Sequence, residues 1–462
     1  MRWLMTQTFT RSITVPVDVA TLFAWHERPG AFERLSAPWD RPKVLVHEGG
    51  IRDGARVVLQ VSAGPVSTTW EIEHRDYIQN VQFRDVMKSG PFESFVHTHS
   101  FAPAGPGSST LTDTIEYALP LGAVGTAVGG WYARDSLDRV FAYRHALMAG
   151  DLERHAEFAH KPRMRVGITG ASGFLGSQLT AFLSTGGHTV IRIGRGEVSP
   201  GKVDVNWDPA RGKLDPKSLE GLDAIVHLAG SPIAERWSAE HKRDIRDSRV
   251  ESTSLLAHAI TQLSRKPRVL LSASAIGIYG SRGDELLDER SQPGTDWLAQ
   301  VGVNWERATE PAAKAGVRVV NLRTGIVQGA AGGALERLLP IFRVGAGGRL
   351  GDGKQWMSPV AFDDHIGAMH FLLMRDDIRG PVNIVAPDAI TNAQFTEVLA
   401  TVLGRPAFAH APAFAIKLAF GEMAEWTILA SQRVMPTVLQ NAGFRYRHPT
   451  LEQMLKFELG ML

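Results

Sequence analysis

Three glycines, Gly170, Gly173 and Gly176, sit between a short apolar run (Val166, Ile168) and a helical apolar pattern through Leu179, Phe182 and Leu183. Glycine is required where a chain must turn tightly and let a bulky anion approach its backbone. The turn Gly170-Ala171-Ser172-Gly173-Phe174-Leu175-Gly176 opens a helix, and a helix N-terminus offers unpaired N–H groups and the positive end of a dipole. Strand, glycine turn and helix follow in the order that pyrophosphate binding demands.

The next apolar run, near 188–193, ends Ile191-Arg192-Ile193-Gly194-Arg195. A dinucleotide site that reads plain ribose hydroxyls places Asp or Glu there. Arginine instead matches a phosphate with its planar fork. Arg192 and Arg195 therefore favour NADP(H), and Glu197 beside them keeps NAD(H) open.

These elements sit in the middle of a 462-residue chain, too long for one core, so two or three domains are expected. Fifty basic residues against 48 acidic ones give a net charge of +2, which argues against nucleic-acid binding through bulk charge. The chain has no cysteine, which excludes disulfides, thiolate nucleophiles and cysteine metal ligands. No apolar run reaches the roughly 20 residues that span a bilayer. Phe9, Ile13, Val15 and Val17 share one parity and read as a strand, not a leader. A soluble cytoplasmic protein without membrane partners is the expectation.

Residues 1–158 form the first expected domain. Alternating runs predict strands near 8–17, 43–47, 55–61, 66–76, 81–86, 92–101 and 110–118. A short helix is expected near 18–35 and a long one from about 131 to 158, striped by Leu137, Val140, Phe141, Leu147 and Leu152. A curved antiparallel sheet wrapped on a long helix satisfies this order. It resembles the α+β helix-grip fold of the START-like, polyketide-cyclase-like (SRPBCC) proteins, which implies a hollow for an apolar ligand. His74 lies on one expected strand, and His97 and His99 share a face of another. Such histidines suit a metal, but spacing alone does not bring the two strands together. Polar groups lining the hollow, with no metal, are the expectation.

After a short polar break at 159–164, strands and helices alternate. Strands are expected at 165–169, 188–193, 223–229, 268–274 and 317–322, and helices near 174–186, 239–263 and 296–315. This predicts a doubly wound parallel sheet of Rossmann type. Further elements near 391–404 and 413–430 complete a small C-terminal substrate lobe and cap over about 325–462, so the second expected domain covers 164–462. The glycines from Gly345 to Gly353 suggest a hinged loop.

Several segments carry a resemblance: the glycine turn, His227-Leu228-Ala229-Gly230, Ser272-Ala273-Ser274-Ala275-Ile276-Gly277-Ile278-Tyr279-Gly280 and Leu322-Arg323-Thr324-Gly325. They resemble the extended short-chain dehydrogenase/reductase family, in its NAD-dependent epimerase/dehydratase branch. Glu235-Arg236-Trp237, Asp247-Ser248-Arg249 and Gly351-Asp352-Gly353-Lys354-Gln355 are similar to an epimerase-like subgroup of it. The resemblance implies that residues 170–176 cradle the pyrophosphate and that Arg195 meets the adenosine phosphate. Leu228, Ala229 and Gly230 would line the adenosine, and Arg323 would approach the nicotinamide side. Ser274 takes the place of the family's partner for the substrate hydroxyl, on a small-molecule substrate. A homodimer is a further expectation.

The family's tyrosine–lysine pair, which moves a proton and holds the nicotinamide ribose, is absent. With Glu306 aligned to the acidic residue that follows the pair, Leu298 and Gly302 occupy its places. Tyr279 becomes the nearest proton donor and Glu306 the candidate base. Arg236 and Trp237 are candidates for recognising an anionic or aromatic ligand. Two functions follow: an NADP(H)-dependent oxidoreductase or epimerase-like enzyme, or an NADP(H)-binding sensor or carrier without turnover.

Overall fold

The structure, a computed structural model, describes residues 6–40, 42–63 and 66–462. The chain divides into two compact units. One is Met1–His160 with Ala181–Gly187 and Gly460–Leu462, and the other is Lys161–Thr180 with His188–Leu459.

The first unit holds β1 (Gln7–Val15), α1 (Val19–Glu27), α2 (Ala31–Leu35), β2 (Lys43–Glu48), β3 (Arg56–Ala63), β4 (Val66–Ile78), β5 (Gln82–Ser89), β6 (Ser94–Gly105), β7 (Ser108–Ala118) and α3 (Gly122–Glu157). The strands form one antiparallel sheet in the order β1-β7-β6-β5-β4-β3-β2. This is the expected helix-grip arrangement. The single helix expected at 18–35 is two. Asp18 caps the first by accepting from the Thr21 N–H at 2.7 Å, and Gly30, at φ +98°, turns the chain into the second. The long helix begins nine residues earlier than its apolar stripe suggests. Gly122, Gly125, Gly129 and Gly130 weaken helix propensity there, but the ladder propagates back from the packed half once that half has formed.

Alternation on the strands sets the core. Phe83 on β5, Phe101 on β6, Leu111 on β7 and Met148 on α3 join one apolar cluster. Phe95, Ile115, Tyr117 and Phe141, further along the same elements, join another. Between the two clusters lie Asp85, His97, His99 and Asp113, on the same inward strand parity, and His145 on α3. The core of this unit is thus two apolar blocks separated by one polar layer.

The second unit is built on β8 (Arg165–Thr169), the first seven residues of α4 (Phe174–Thr185), β9 (Thr189–Gly194), β10 (Val205–Asp208), β11 (Lys213–Leu214), β12 (Ala224–His227), α5 (Ala239–Asp247), α6 (Val250–Thr261), β13 (Val269–Ala275), α7 (Trp297–Arg307), α8 (Glu310–Lys314), β14 (Arg318–Thr324) and β15 (Gly380–Ile384). The sheet order is β11-β10-β9-β8-β12-β13-β14-β15, parallel except for β11. Chain order reverses between β8 and β12, the switch point where open α/β sheets bind ligands. The helices expected at 239–263 and 296–315 are each broken in two, at Ser248-Arg249 and at Ala308-Thr309. Beyond β14, helices such as Gly333–Arg343, Phe362–Met374 and Asn392–Leu403 make up the C-terminal lobe.

The glycine turn shows a division of labour. Gly170 sits at φ +69°, a conformation that strains any residue with a Cβ. A Cβ on Gly176 would lie 2.1 Å from the Gly170 carbonyl oxygen, so helix and turn could not close. A Cβ on Gly173 would meet that oxygen at 3.2 Å, a tight but bearable contact, and would project from an exposed position. Gly176→Ala is therefore expected to cost about 1–3 kcal/mol in urea unfolding, as overpacked cores do. Gly173→Ala should cost under about 1 kcal/mol yet weaken nucleotide binding in a fluorescence titration, because its methyl group takes the space the pyrophosphate needs.

Candidate functional site

The crevice at the carboxyl ends of β8 and β12 is held by one buried hydrogen-bond chain. Thr169, the last residue of β8, accepts through Oγ1 from the N–H groups of Leu228 and Ala229 at 3.1 and 3.2 Å. Its hydroxyl lies 2.7 Å from His227 Nδ1, and His227 Nε2 lies 3.0 Å from Thr253 Oγ1 on α6. Trp305 Nε1 on α7 donates to the same Thr253 oxygen at 3.0 Å. Since Thr169 already accepts twice, its own proton goes to Nδ1, and His227 is the neutral Nε2–H tautomer. Burial agrees, lowering His227 from 6.5 to about 4. Arg249 donates to the Ser231 and Ile245 carbonyls at 3.0 and 3.1 Å, tying the loop after Gly230 to α5. Thr169, Thr253 and the role of Arg249 were not readable from spacing, since they act through strands and helices far apart in the chain.

Of the two arginines expected at the adenosine phosphate, Arg195 is exposed just past β9. Arg192, on the strand itself, is half-buried with Nη1 3.6 Å from Asp204 Oδ2. Ser172, Gly173 and Gly230 are exposed, while Ala171, Phe174, Leu175, Leu228 and Ala229 are half-buried and Gly176 is buried.

The residues expected to do proton chemistry come together further along the sheet. Ser274, on β13, donates to Glu306 Oε1 at 2.7 Å. Arg323, directly across from Ser274 on β14, grips both Glu306 oxygens at 2.8 and 2.9 Å. Arg323 also donates to the Tyr279 hydroxyl at 2.9 Å, and that hydroxyl donates to Asn383 Oδ1 on β15 at 2.7 Å. Tyr279 is fully buried, and burial raises its phenol above the ordinary value. Burial opposes the charge on Arg323, but Glu306 outweighs it and raises the guanidinium further. The Ser274 and Tyr279 protons and both Glu306 oxygens are thus engaged within the protein.

The places left by the absent tyrosine and lysine are filled by packing. Leu298 lies against Gly277, and a Cβ on Gly302 would meet Ile278 at 3.1 Å. Arg236 donates to the Leu418 and Ala419 carbonyls, and Trp237 donates to the Ile233 carbonyl while its ring lies 5.1 Å from Trp297. Of these two side chains, expected at a ligand, Arg236 thus ties its loop to the helix end at 418–419 and Trp237 braces the loop itself.

In the first unit, the histidines that spacing could not connect do meet. His97 Nε2 and His145 Nε2 contact Asp113 at 2.9 and 2.6 Å. His74, His97 and His99 approach Asp85 at 3.1, 3.4 and 3.3 Å. Burial would lower His99, but Asp113 and Asp85 outweigh it and lift it to about 9. Burial would raise both carboxyls, but the imidazoles hold them well below the usual range. Asp85 and Asp113 did have a sequence signal, a carboxylate at the core-facing parity of an apolar strand.

Comparison with known proteins fits this geometry. A family model described as the NAD dependent epimerase/dehydratase family matches residues 166–385. One described as polyketide cyclase / dehydrase and lipid transport matches 6–154, and a domain of unknown function matches 411–458. An epimerase family protein of Mycobacterium bovis is 41% identical over 293 residues, 63% of this chain and 96% of the relative. The chain belongs to the NAD-dependent epimerase/dehydratase family. The human epimerase family protein SDR39U1 is 33% identical over 297 residues, 63% of this chain and 99% of its own. A crystal structure of that human protein with NADPH matches at TM-score 0.59, 31% identity, 64% of this chain and 99% of that one. A nucleoside-diphosphate sugar epimerase from Corynebacterium glutamicum matches at TM-score 0.81 and 32% identity, covering 98% of this chain and 90% of that one. Among the described residues no helix is long and apolar enough to cross a membrane.

The His227 assignment has a pH consequence. Its folded value of about 4 lies below the ordinary 6.5, so between those limits the unfolded chain takes up a proton that the folded chain refuses. Stability contributed by neutral His227 is full above pH 6.5 and falls as pH drops towards 4. Between pH 7 and 5 the loss is about 2 kcal/mol. His227→Gln, which keeps an acceptor for Thr169 and a donor for Thr253 but cannot titrate, should flatten that share of the pH dependence in urea unfolding. A slope unchanged from wild type would contradict it.

Proposed function

We propose that this chain is an NADP(H)-dependent oxidoreductase or epimerase-like enzyme acting on a small molecule at the β8/β12 crevice. The supporting observation is the glycine turn opening α4, with the exposed Arg195 past β9 where a site for plain ribose carries a carboxylate. NADPH in the human relative's structure supports the same choice. In this reading the nucleotide, when bound, supplies the hydride. The chain's residues supply the phosphate cradle, the Arg195 contact to the 2′-phosphate and a rigid floor beneath the substrate. Residues 6–154, in keeping with their family match, would take an apolar ligand or substrate.

A second reading, an NADP(H)-binding sensor or carrier without turnover, is favoured by one specific observation. Ser274 donates to Glu306, and Arg323 donates to both Glu306 and Tyr279, which leaves Ser274 able to accept but not to donate. Direct titration separates the cofactors. NADPH should bind at least about tenfold tighter than NADH, and Arg195→Ala should erase most of that gap, since a charge-assisted hydrogen bond contributes about 1.5–3 kcal/mol. NADH binding tighter than NADPH would sink the assignment. Hydride transfer to any member of a broad carbonyl panel, reduced in Ser274→Ala, would favour the enzyme. Tight NADPH binding with no transfer would favour the sensor.

A further inference from the structure

The polar layer of the first unit has the geometry of a coordination site. Register places Asp85 directly across from His97 on one side and His74 on the other, and places Asp113 across from His99. His97 and His99 are two residues apart on β6, so both project from the same face. His97 Nδ1 and His99 Nε2 lie 3.4 and 3.3 Å from one and the same oxygen, Asp85 Oδ2. The donor atoms of Asp85, His97 and His99 all fall within 4.8 Å of one another.

These separations are informative. Zinc held at about 2.0–2.1 Å by tetrahedral donors needs donor–donor edges of about 3.3–3.4 Å, whereas octahedral donors at that distance would sit about 3.0 Å apart. The two edges measured from Asp85 match the tetrahedron. The far side of each ring is also occupied suitably. His97 Nε2 is hydrogen-bonded to Asp113 Oδ1 at 2.9 Å, and His99 Nδ1 lies 2.8 Å from the same oxygen. A carboxylate behind a ligating imidazole fixes its orientation and raises its basicity, the arrangement that metal-binding histidines favour.

Two further features point to an ion. Asp85 Oδ1 is a buried atom that makes no hydrogen bond, although His74 Nε2 lies 3.1 Å away. The rings are held rigidly, His99 by stacking on Phe83 at 4.1 Å and His97 by the edge of Phe141 at 5.2 Å. Asp85 keeps 20% of its side chain exposed against 4% for His97 and 9% for His99, so it is the most exposed of the three.

We propose that Asp85 Oδ2, His97 Nδ1 and His99 Nε2 bind a divalent transition-metal ion of zinc type. Asp113 positions both imidazoles, and the fourth coordination position is left to water or a small ligand. Two nitrogen donors, one oxygen and no sulfur suit such an ion.

The test uses the full-length protein, stripped with a chelator and titrated separately with ZnCl2 against a chromophoric competitor and with CoCl2. One equivalent should bind, Co2+ should give the intense visible bands of a tetrahedral centre, and Zn2+ should raise the thermal midpoint. Asp85→Asn and His99→Gln should each weaken Zn2+ at least about 100-fold and abolish the Co2+ bands. Asp113→Asn should keep the stoichiometry but weaken binding about 10–100-fold, as loss of an orienting carboxylate does. Circular dichroism of the stripped variants checks their folding. Should a variant unfold, the wild-type Co2+ spectrum decides alone. Wild-type protein that takes up no Co2+, or takes it up only with an octahedral spectrum, overturns the proposal. So do folded variants that bind as tightly as wild type.

Discussion

The crevice at the carboxyl ends of β8 and β12 depends on one neutral imidazole. His227 is wholly buried between the ends of β8 and β12, and it joins the strand that carries the glycine turn to the two helices behind it. Thr169 satisfies the Leu228 and Ala229 N–H groups only because its own proton has an acceptor in His227 Nδ1. A protonated ring would offer a second donor to an oxygen with no lone pair left for it. Burial keeps the ring neutral, and neutrality keeps the two strand ends in register, so the cradle is a consequence of desolvation as much as of glycine.

A second network serves the other half of the same sheet. The Arg323–Glu306 pair lies mostly out of water, where breaking either partner leaves a costly unpaired charge. It gathers Ser274, Tyr279 and, through Tyr279, Asn383, and so ties β13, β14, β15 and α7 together. Trp305 and Glu306 are adjacent on α7, and one faces each network. The helix on which the resemblance would place a tyrosine and a lysine carries instead the joints between two buried polar clusters. Leu298 and Gly302 permit this, since Gly302 lets the helix close on Ile278 where a lysine would hold it away.

Much of this was legible in the sequence, and the reasons for the remainder are physical. The glycine turn is local, so strand, turn and helix could be read from twelve consecutive residues. The seven strands of the first unit follow from alternation, which depends only on near neighbours. The parallel order follows from alternating strands and helices. The helix break at Ser248-Arg249 was missed because no proline or glycine marks the interruption, whereas the one at Ala308-Thr309 had an unread signal in Pro311, which sits in the first turn of α8. The early start of α3 was missed for the opposite reason: glycines argued against a helix that its packed half imposes. The partners of Tyr279 and Glu306 were not legible at all, because Asn383 and Arg323 reach them only through sheet register.

The polar layer of the first unit shows the same limit from another side. Its five residues occupy positions that an apolar core would fill at lower cost; on β6, for example, His97 and His99 lie as a pair between Phe95 and Phe101. Burying two carboxylates costs several kcal/mol apiece unless a cation meets them, and here His99, which the two carboxylates lift to about 9, does. A core that sought only stability would replace such a layer with well-packed aliphatic side chains, often with no loss. The layer's arrangement across β5, β6, β7 and α3 aligns nitrogen and oxygen donors at one depth between two dry blocks. That alignment constrains the chain in a way that packing alone does not require, and it places these groups on the face of the sheet that carries both apolar clusters.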